Sequence, residues 1–185
     1  MPSPRAELLA DSVLACKVLT GRYLPGFNDV TCVRSTPDLP NHVAWCLGHC
    51  AVTMHRVADL VSGTATSGLP ASDFIEKPHA DGTKGSRDKG LFDAESVAFG
   101  STVEERHDRY PKLDRCIEVF NNACDRLAAV VRALPEADLD KAHPWGAGGE
   151  FPAWALISRM VFHNGFHTGQ IADTRRALGF KRLFG

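Results

Sequence analysis

The chain has 185 residues, a length that fits one domain able to bury most of its unfolded surface. Its 21 lysines and arginines nearly cancel its 22 aspartates and glutamates, which leaves no strong field to gather nucleic acid, a polyanion or an anionic membrane. No apolar run reaches the length of a membrane span, and Arg5, Glu7, Asp11 and Lys17 interrupt the N-terminal segment where a secretory leader needs an unbroken apolar stretch.

Four segments carry helical periodicity. In the first, from about Arg5 to Tyr23, Leu9, Val13, Cys16, Leu19 and Tyr23 recur at steps of three and four, and Pro25-Gly26 stops it. The second opens after Pro40 with Asn41 as the expected N-cap. It carries a stripe of Val43, Leu47, Cys50, Ala51, Met54, Val57, Ala58 and Val61 and ends at Ser62-Gly63. The third follows two overlapping capping signals, Ser101-x-x-Glu104 and Thr102-x-x-Glu105. Its seam runs through Tyr110, Leu113, Ile117, Phe120, Cys124, Leu127, Val131 and Leu134, and it either bends at Pro111 or begins there with Pro111 in its first turn. The fourth starts with Pro152 at a first helical position, has Arg175 and Arg176 in its last turns, and is closed by Gly179.

No segment alternates with period two between hairpin signals. The expected fold is all-α: one four-helix bundle over residues 1–185, with a long crossover between the second and third helices. That crossover, 62–101, is long for a compact domain. Phe74, Ile75, Leu91 and Phe92 are placed to anchor it over one end of the bundle. Gly82-Thr83-Lys84-Gly85-Ser86 lacks the spacing and the preceding strand of a phosphate loop. Trp145-Gly146-Ala147-Gly148-Gly149 reads as a turn before the last helix and a candidate pocket wall.

Cys16, Cys32, Cys46, Cys50, Cys116 and Cys124 include no C-x-x-C pair, and most occupy apolar helical positions. They read as buried free thiols, which fits a cytoplasmic protein.

The strongest chemical signal is His163-Asn164-Gly165-Phe166-His167-Thr168-Gly169-Gln170. Two histidines four apart project from one face of a helix, and Leu156, Met160, Ile171 and Leu178 on roughly that face make it inward-looking. A metal ion gives both imidazoles a partner where burying them bare is costly. In the second helix His49 lies opposite the apolar stripe, together with Trp45, Val52, His42 and Arg56. Trp and Val on that side imply that it too is covered, with the fourth helix as the candidate cover. Periodicity alone leaves His49 either a ligand or a surface residue.

The run Asn41-His42-Val43-Ala44-Trp45-Cys46-Leu47-Gly48-His49 resembles the Trp-x-Leu-Gly-His segment of the DinB-like superfamily of DNA-damage-inducible and stress-associated bundle proteins, which includes thiol-dependent transferases. His163, His167, Gly169, Gln170 and Ile171 resemble its second motif, and Thr168 departs from it where arginine is commoner. The resemblance implies a three-histidine metal site made of His49, His163 and His167. It also implies a homodimer and a chemistry of either hydrolysis or low-molecular-weight thiol transfer on a small molecule. Three imidazoles leave a coordination position open, as a catalytic site requires. Zinc is the default ion, with nickel, iron or manganese as alternatives.

Trp45, Arg159 and Gln170 are the candidate substrate-binding residues. Gln170 can instead orient a ligand histidine, and His42 is either a proton shuttle or a helix cap. No residue is singled out as a catalytic acid or base. The alternatives are a non-catalytic metal-binding stress protein and a helical interaction module.

Overall fold

The computed structural model describes residues 3–64, 68–75 and 87–183. The glycine-rich run 82–86 and His79 lie outside them. Four α-helices make the body: α1 (Pro4–Tyr23), α2 (Val43–Ser62), α3 (Leu113–Ala133) and α4 (Ala153–Ala177). α1 and α2 each pack against both α3 and α4, so they stand across the bundle from each other. The all-α bundle expected from the sequence is the fold observed.

Local chemistry sets the helix ends, in places differently from the sequence reading. The cap of α2 is His42, not Asn41: its Nδ1 accepts the Trp45 amide N–H at 3.1 Å, and its Nε2–H donates to the Glu104 carbonyl at 3.2 Å. Gly63, at φ 72°, closes the helix in the left-handed conformation glycine tolerates. The capping signals at 101–105 start no helix. The chain runs irregularly to a single 3₁₀ turn, His107–Arg109. Tyr110 is extended ahead of Pro111, as a residue before proline prefers, so α3 begins only at Leu113, with Pro111 outside its first turn. Pro152 stands just before α4 rather than inside it. At the far end Arg175 is buried and donates to the Tyr23 carbonyl at 3.1 Å, tying α4 to the end of α1.

Two small sheets were not legible as alternation. β1 (Phe74–Ile75) pairs in parallel with β2 (Phe92–Asp93). β3 (Ala142–Pro144) pairs antiparallel with β4 (Glu150–Pro152), so the Trp145–Gly149 turn is a hairpin loop. Strands this short carry no periodic signal.

The described part of the crossover is packed onto the bundle. Phe74 and Phe92 are buried and stacked with ring centroids 5.9 Å apart. Arg115 of α3 donates to the Gly90 and Ser72 carbonyls at 2.9 and 2.7 Å and to Asp73 at 2.8 Å. This segment, and not α4 alone, covers the second face of α2. That is why α2 is buried almost all round while α3 is not.

The core holds two neutral histidines that add to its acid response. His42 and His55 are each 1 % exposed. Burial, the largest cause for both, pulls each from the ordinary 6.5 to about 4, and Arg126 adds to it at His55. In each, Nδ1 is an acceptor, from the Trp45 amide and from the Arg126 guanidinium (3.1 Å), so protonation would remove a bond. Below pH 6.5 the unfolded chain therefore binds protons that the folded chain refuses. Stability is fully present above 6.5 and falls as the pH drops towards 4, by up to about 1.4 kcal/mol per pH unit for each of the two. Urea unfolding of chelator-treated protein at pH 7, 6 and 5 should show a falling midpoint; a flat profile would mean these rings are not held neutral.

Candidate metal centre

His163 and His167 lie four apart on α4 and point at α2, where His49 faces them. The ring centroids are 4.7 Å apart for His163–His167, 5.0 Å for His49–His163 and 5.1 Å for His49–His167. One nitrogen from each ring can be chosen so that all three lie within 4.8 Å of one another. Among the described residues no other group of three His, Cys, Asp or Glu side chains converges in this way.

Each ring is held by something different. His49 donates Nδ1–H to the Val97 carbonyl at 2.7 Å and stacks on Trp45, centroids 4.5 Å apart and planes 13° from parallel. Trp45 is fixed in turn by its indole N–H, which donates to Ser101 Oγ at 2.9 Å. Ser101, read in sequence as a helix cap, therefore pins the crossover to the site. His167 donates Nδ1–H to Gln170 Oε1 at 2.9 Å. The same oxygen accepts from Asn41 Nδ2 at 3.0 Å, which is what the asparagine does in place of capping α2. With Nδ1 of His49 and of His167 committed as donors, the Nε2 lone pair of each is left as the acceptor. His163 Nδ1 is buried with no hydrogen-bond partner.

Electrostatics keeps the three rings neutral. Burial is the main cause in each. It takes His163 down to about 3, with His167 and His49 pushing the same way. It takes His167 to about 4 against the opposing bond to Gln170. His49 is lowered too, with the Val97 bond opposing and Arg56 assisting. Neutral imidazole is the form that ligates a metal.

The residues present fit a divalent ion. Three neutral nitrogens converge, two rings are oriented through carbonyl-type acceptors as metal-binding histidines usually are, and one buried ring nitrogen lacks any partner.

Other candidates take their places around this centre. Trp45 is 5 % exposed and acts as a platform for His49, while Gln170 holds His167. Arg159 is exposed on α4, one turn before His163, and lines a cavity of 360 Å³ that opens beside His49 and His163. The hairpin residue Trp145 forms part of its wall. His42 is the α2 cap described above. Cys46 and Cys50 are buried free thiols outside the cluster, pushed well above their usual range by burial. Thr168 Oγ1 lies 2.7 Å from Thr20 Oγ1 and donates to the Asn164 carbonyl, so it joins α4 to α1. The sequence reading missed Val97, Asn41 in its role on Gln170, and Arg56 as a cavity residue. Val97 acts through its backbone, which no side-chain pattern reveals. Arg56, seven residues after His49 and thus two turns along the same helix face, was open to detection.

No helix among the described residues is long and apolar enough to cross a membrane. A protein of Geobacillus kaustophilus whose name reads "putative metal-dependent hydrolase" is 36 % identical over 56 residues. That match spans 30 % of this chain and 32 % of the relative. No solved structure matches the chain. The family model described as the DinB superfamily matches residues 18–171; the bundle, the converging histidines and a match over most of its length together make this chain a member of the DinB superfamily.

Proposed function

We propose that this protein is a metal-dependent enzyme acting on a small molecule, with His49, His163 and His167 as the ligands of one divalent ion and hydrolysis as the reaction class. The observation that carries the reading is the convergence of three neutral imidazoles, with no fourth protein ligand among the described residues, beside an open cavity. A closed structural site would use four protein ligands; an open one leaves a position for water or substrate. An ion held there would supply Lewis acidity sufficient to deprotonate a water or a thiol near neutral pH. The protein's own part is orientation. Val97 and Gln170 fix two rings, Trp45 backs one of them, and the crossover shields that side of the centre from solvent. The partial relative supports hydrolysis through its name alone. Transfer of a low-molecular-weight thiol is the second reading, because the same open position suits a thiolate.

The test is turnover of a panel of small esters and amides by protein that has been chelated and then reloaded separately with zinc, nickel, iron or manganese. A second arm supplies small thiols with an electrophilic acceptor. Hydrolysis that disappears on chelation and returns with one equivalent of metal is the expected result. Metal-dependent consumption of thiol without hydrolysis would replace the first reaction class with the second. Hydrolysis indifferent to chelation would overturn the metal-dependent reading.

A further inference from the structure

The cavity beside the histidines carries a charge pattern that no metal ligand explains. Arg56 reaches it from α2 and Arg159 from α4. Their positions follow from helix geometry: Arg56 is two turns beyond His49, and Arg159 is one turn before His163, so each guanidinium lies on the face that carries a histidine of the centre. Both side chains are exposed, and neither has a carboxylate within 4.0 Å among the described residues. Two acids, Asp59 and Glu95, share a neighbouring cavity with Arg56; Asp59 is engaged by Arg126, and Glu95 makes no ion pair with Arg56 among the described residues. Elsewhere in the bundle arginines between helices meet acids, Arg126 of α3 with Asp59 of α2 and Arg132 of α3 with Glu7 of α1. Two that converge unpaired on one cavity leave a concentrated positive field with ten N–H donors.

Apart from the two histidines and Thr53, the rest of the cavity is apolar. Val52 and Met160 line it below, and two aromatic side chains come from non-helical segments, Trp145 from the hairpin and Phe99 from the crossover. Phe99 is 94 % exposed, an unusual position for phenylalanine unless it meets something. The volume of 360 Å³ suits a molecule of metabolite size.

We propose that the substrate is a small amphiphilic organic anion, its carboxylate or phosphate held between Arg56 and Arg159 and its apolar body lying against Trp145 and Phe99. This deepens the reading of the metal centre and rests on it for the reaction, but not for the binding. A carboxylate or a phosphate can accept paired N–H donors from a guanidinium, and that contact fixes one end of the molecule while the other end reaches His49 and His163. Arg56 and Arg159 are thus substrate-binding residues, and the specificity they confer is for charge.

The experiment is calorimetric titration of the full chain, both chelated and metal-loaded, with phenylacetate, phenyl phosphate and the neutral analogue phenylacetamide. Metal stoichiometry is measured on the same samples. The chelated protein should bind the anions at least about tenfold more tightly than the amide, and R56Q and R159Q should each remove most of that preference. Should a glutamine variant fail to fold, R56K and R159K keep the charge while losing the paired geometry, and should retain only part of it. A tighter fit for phenyl phosphate would identify a phosphoester-type substrate, and one for phenylacetate a carboxylic acid. Equal binding of the amide, or an anion preference that survives in the double glutamine variant, would overturn the proposal. Metal uptake without anion preference would sink this inference alone, whereas anion preference without metal uptake would sink the metal reading and leave the arginines standing.

Discussion

Replacing Gly48 by alanine should destabilise the protein by about 1–3 kcal/mol and weaken metal binding as well, although the residue touches no metal. A Cβ at this position would fall 2.6 and 2.8 Å from Phe92 Cε1 and Cδ1 and 2.9 Å from Val97 Cγ1. These separations are far inside van der Waals contact, and neither neighbour has room to retreat. Phe92 is fully buried and stacked on Phe74, and Val97 is fully buried on the other side. The crossover has to lift. Alanine is favoured over glycine in a helix by up to about 1 kcal/mol, which opposes the clash but is the smaller quantity. The second consequence follows from Val97, whose carbonyl receives His49 Nδ1–H. Lifting it frees the ring and its tautomer, so metal affinity should fall by roughly 10- to 100-fold, as when an orienting partner of a ligand is lost. Chemical denaturation and competitive metal titration of G48A read the two effects separately. Stability equal to or above that of the parent would show that the crossover does not sit as closely on α2 as described.

His163→Ala should have a two-sided effect. In metal-loaded protein it removes one of three ligands, and the stabilisation that a bound ion gives the folded state goes with it, about 2.7 kcal/mol when free metal is a hundredfold above its dissociation constant. In chelated protein the same substitution should change little. His163 Nδ1 has no partner to lose, and its ring crowds two other buried imidazoles. Melting curves of parent and variant, each with and without metal, test this. The parent should shift upward on adding metal, and the variant should hardly move. An upward shift in the variant as large as in the parent would remove His163 from the ligand set.

The sequence exposes the parts of this design that repeat. Helices α1, α2 and α4 declare themselves through steps of three and four, and the pair His163/His167 shows its shared face through the same spacing. His49 lies opposite the apolar stripe that periodicity favours, and only the likeness of Trp45-Cys46-Leu47-Gly48-His49 to a family motif selects it. The structure supplies the physical reason for that motif. Trp45 is the stacking platform, Gly48 the point of close approach for Phe92, and His49 the converging imidazole. What was not legible is what the crossover does. Its contributions are a backbone carbonyl at Val97, a hydroxyl at Ser101 and the apolar surface of Phe92. None of these announces a function by residue type or spacing. Of the two readings that the sequence leaves for α3, a bend at Pro111 or a start there, the structure lies near the second, with the helix beginning at Leu113: the two capping patterns at 101–105 are outweighed by the extended backbone that Pro111 imposes on Tyr110.

The central claim is that His49, His163 and His167 together hold one ion. It is tested most directly by elemental mass spectrometry of untagged protein purified without added metal or chelator, alongside H49A, H163A and H167A. One equivalent of zinc, nickel, iron or manganese per chain in the parent, and a clear loss in each variant, is the predicted result. A parent that carries no metal and takes none up, or variants that keep the parent's full complement, would contradict it.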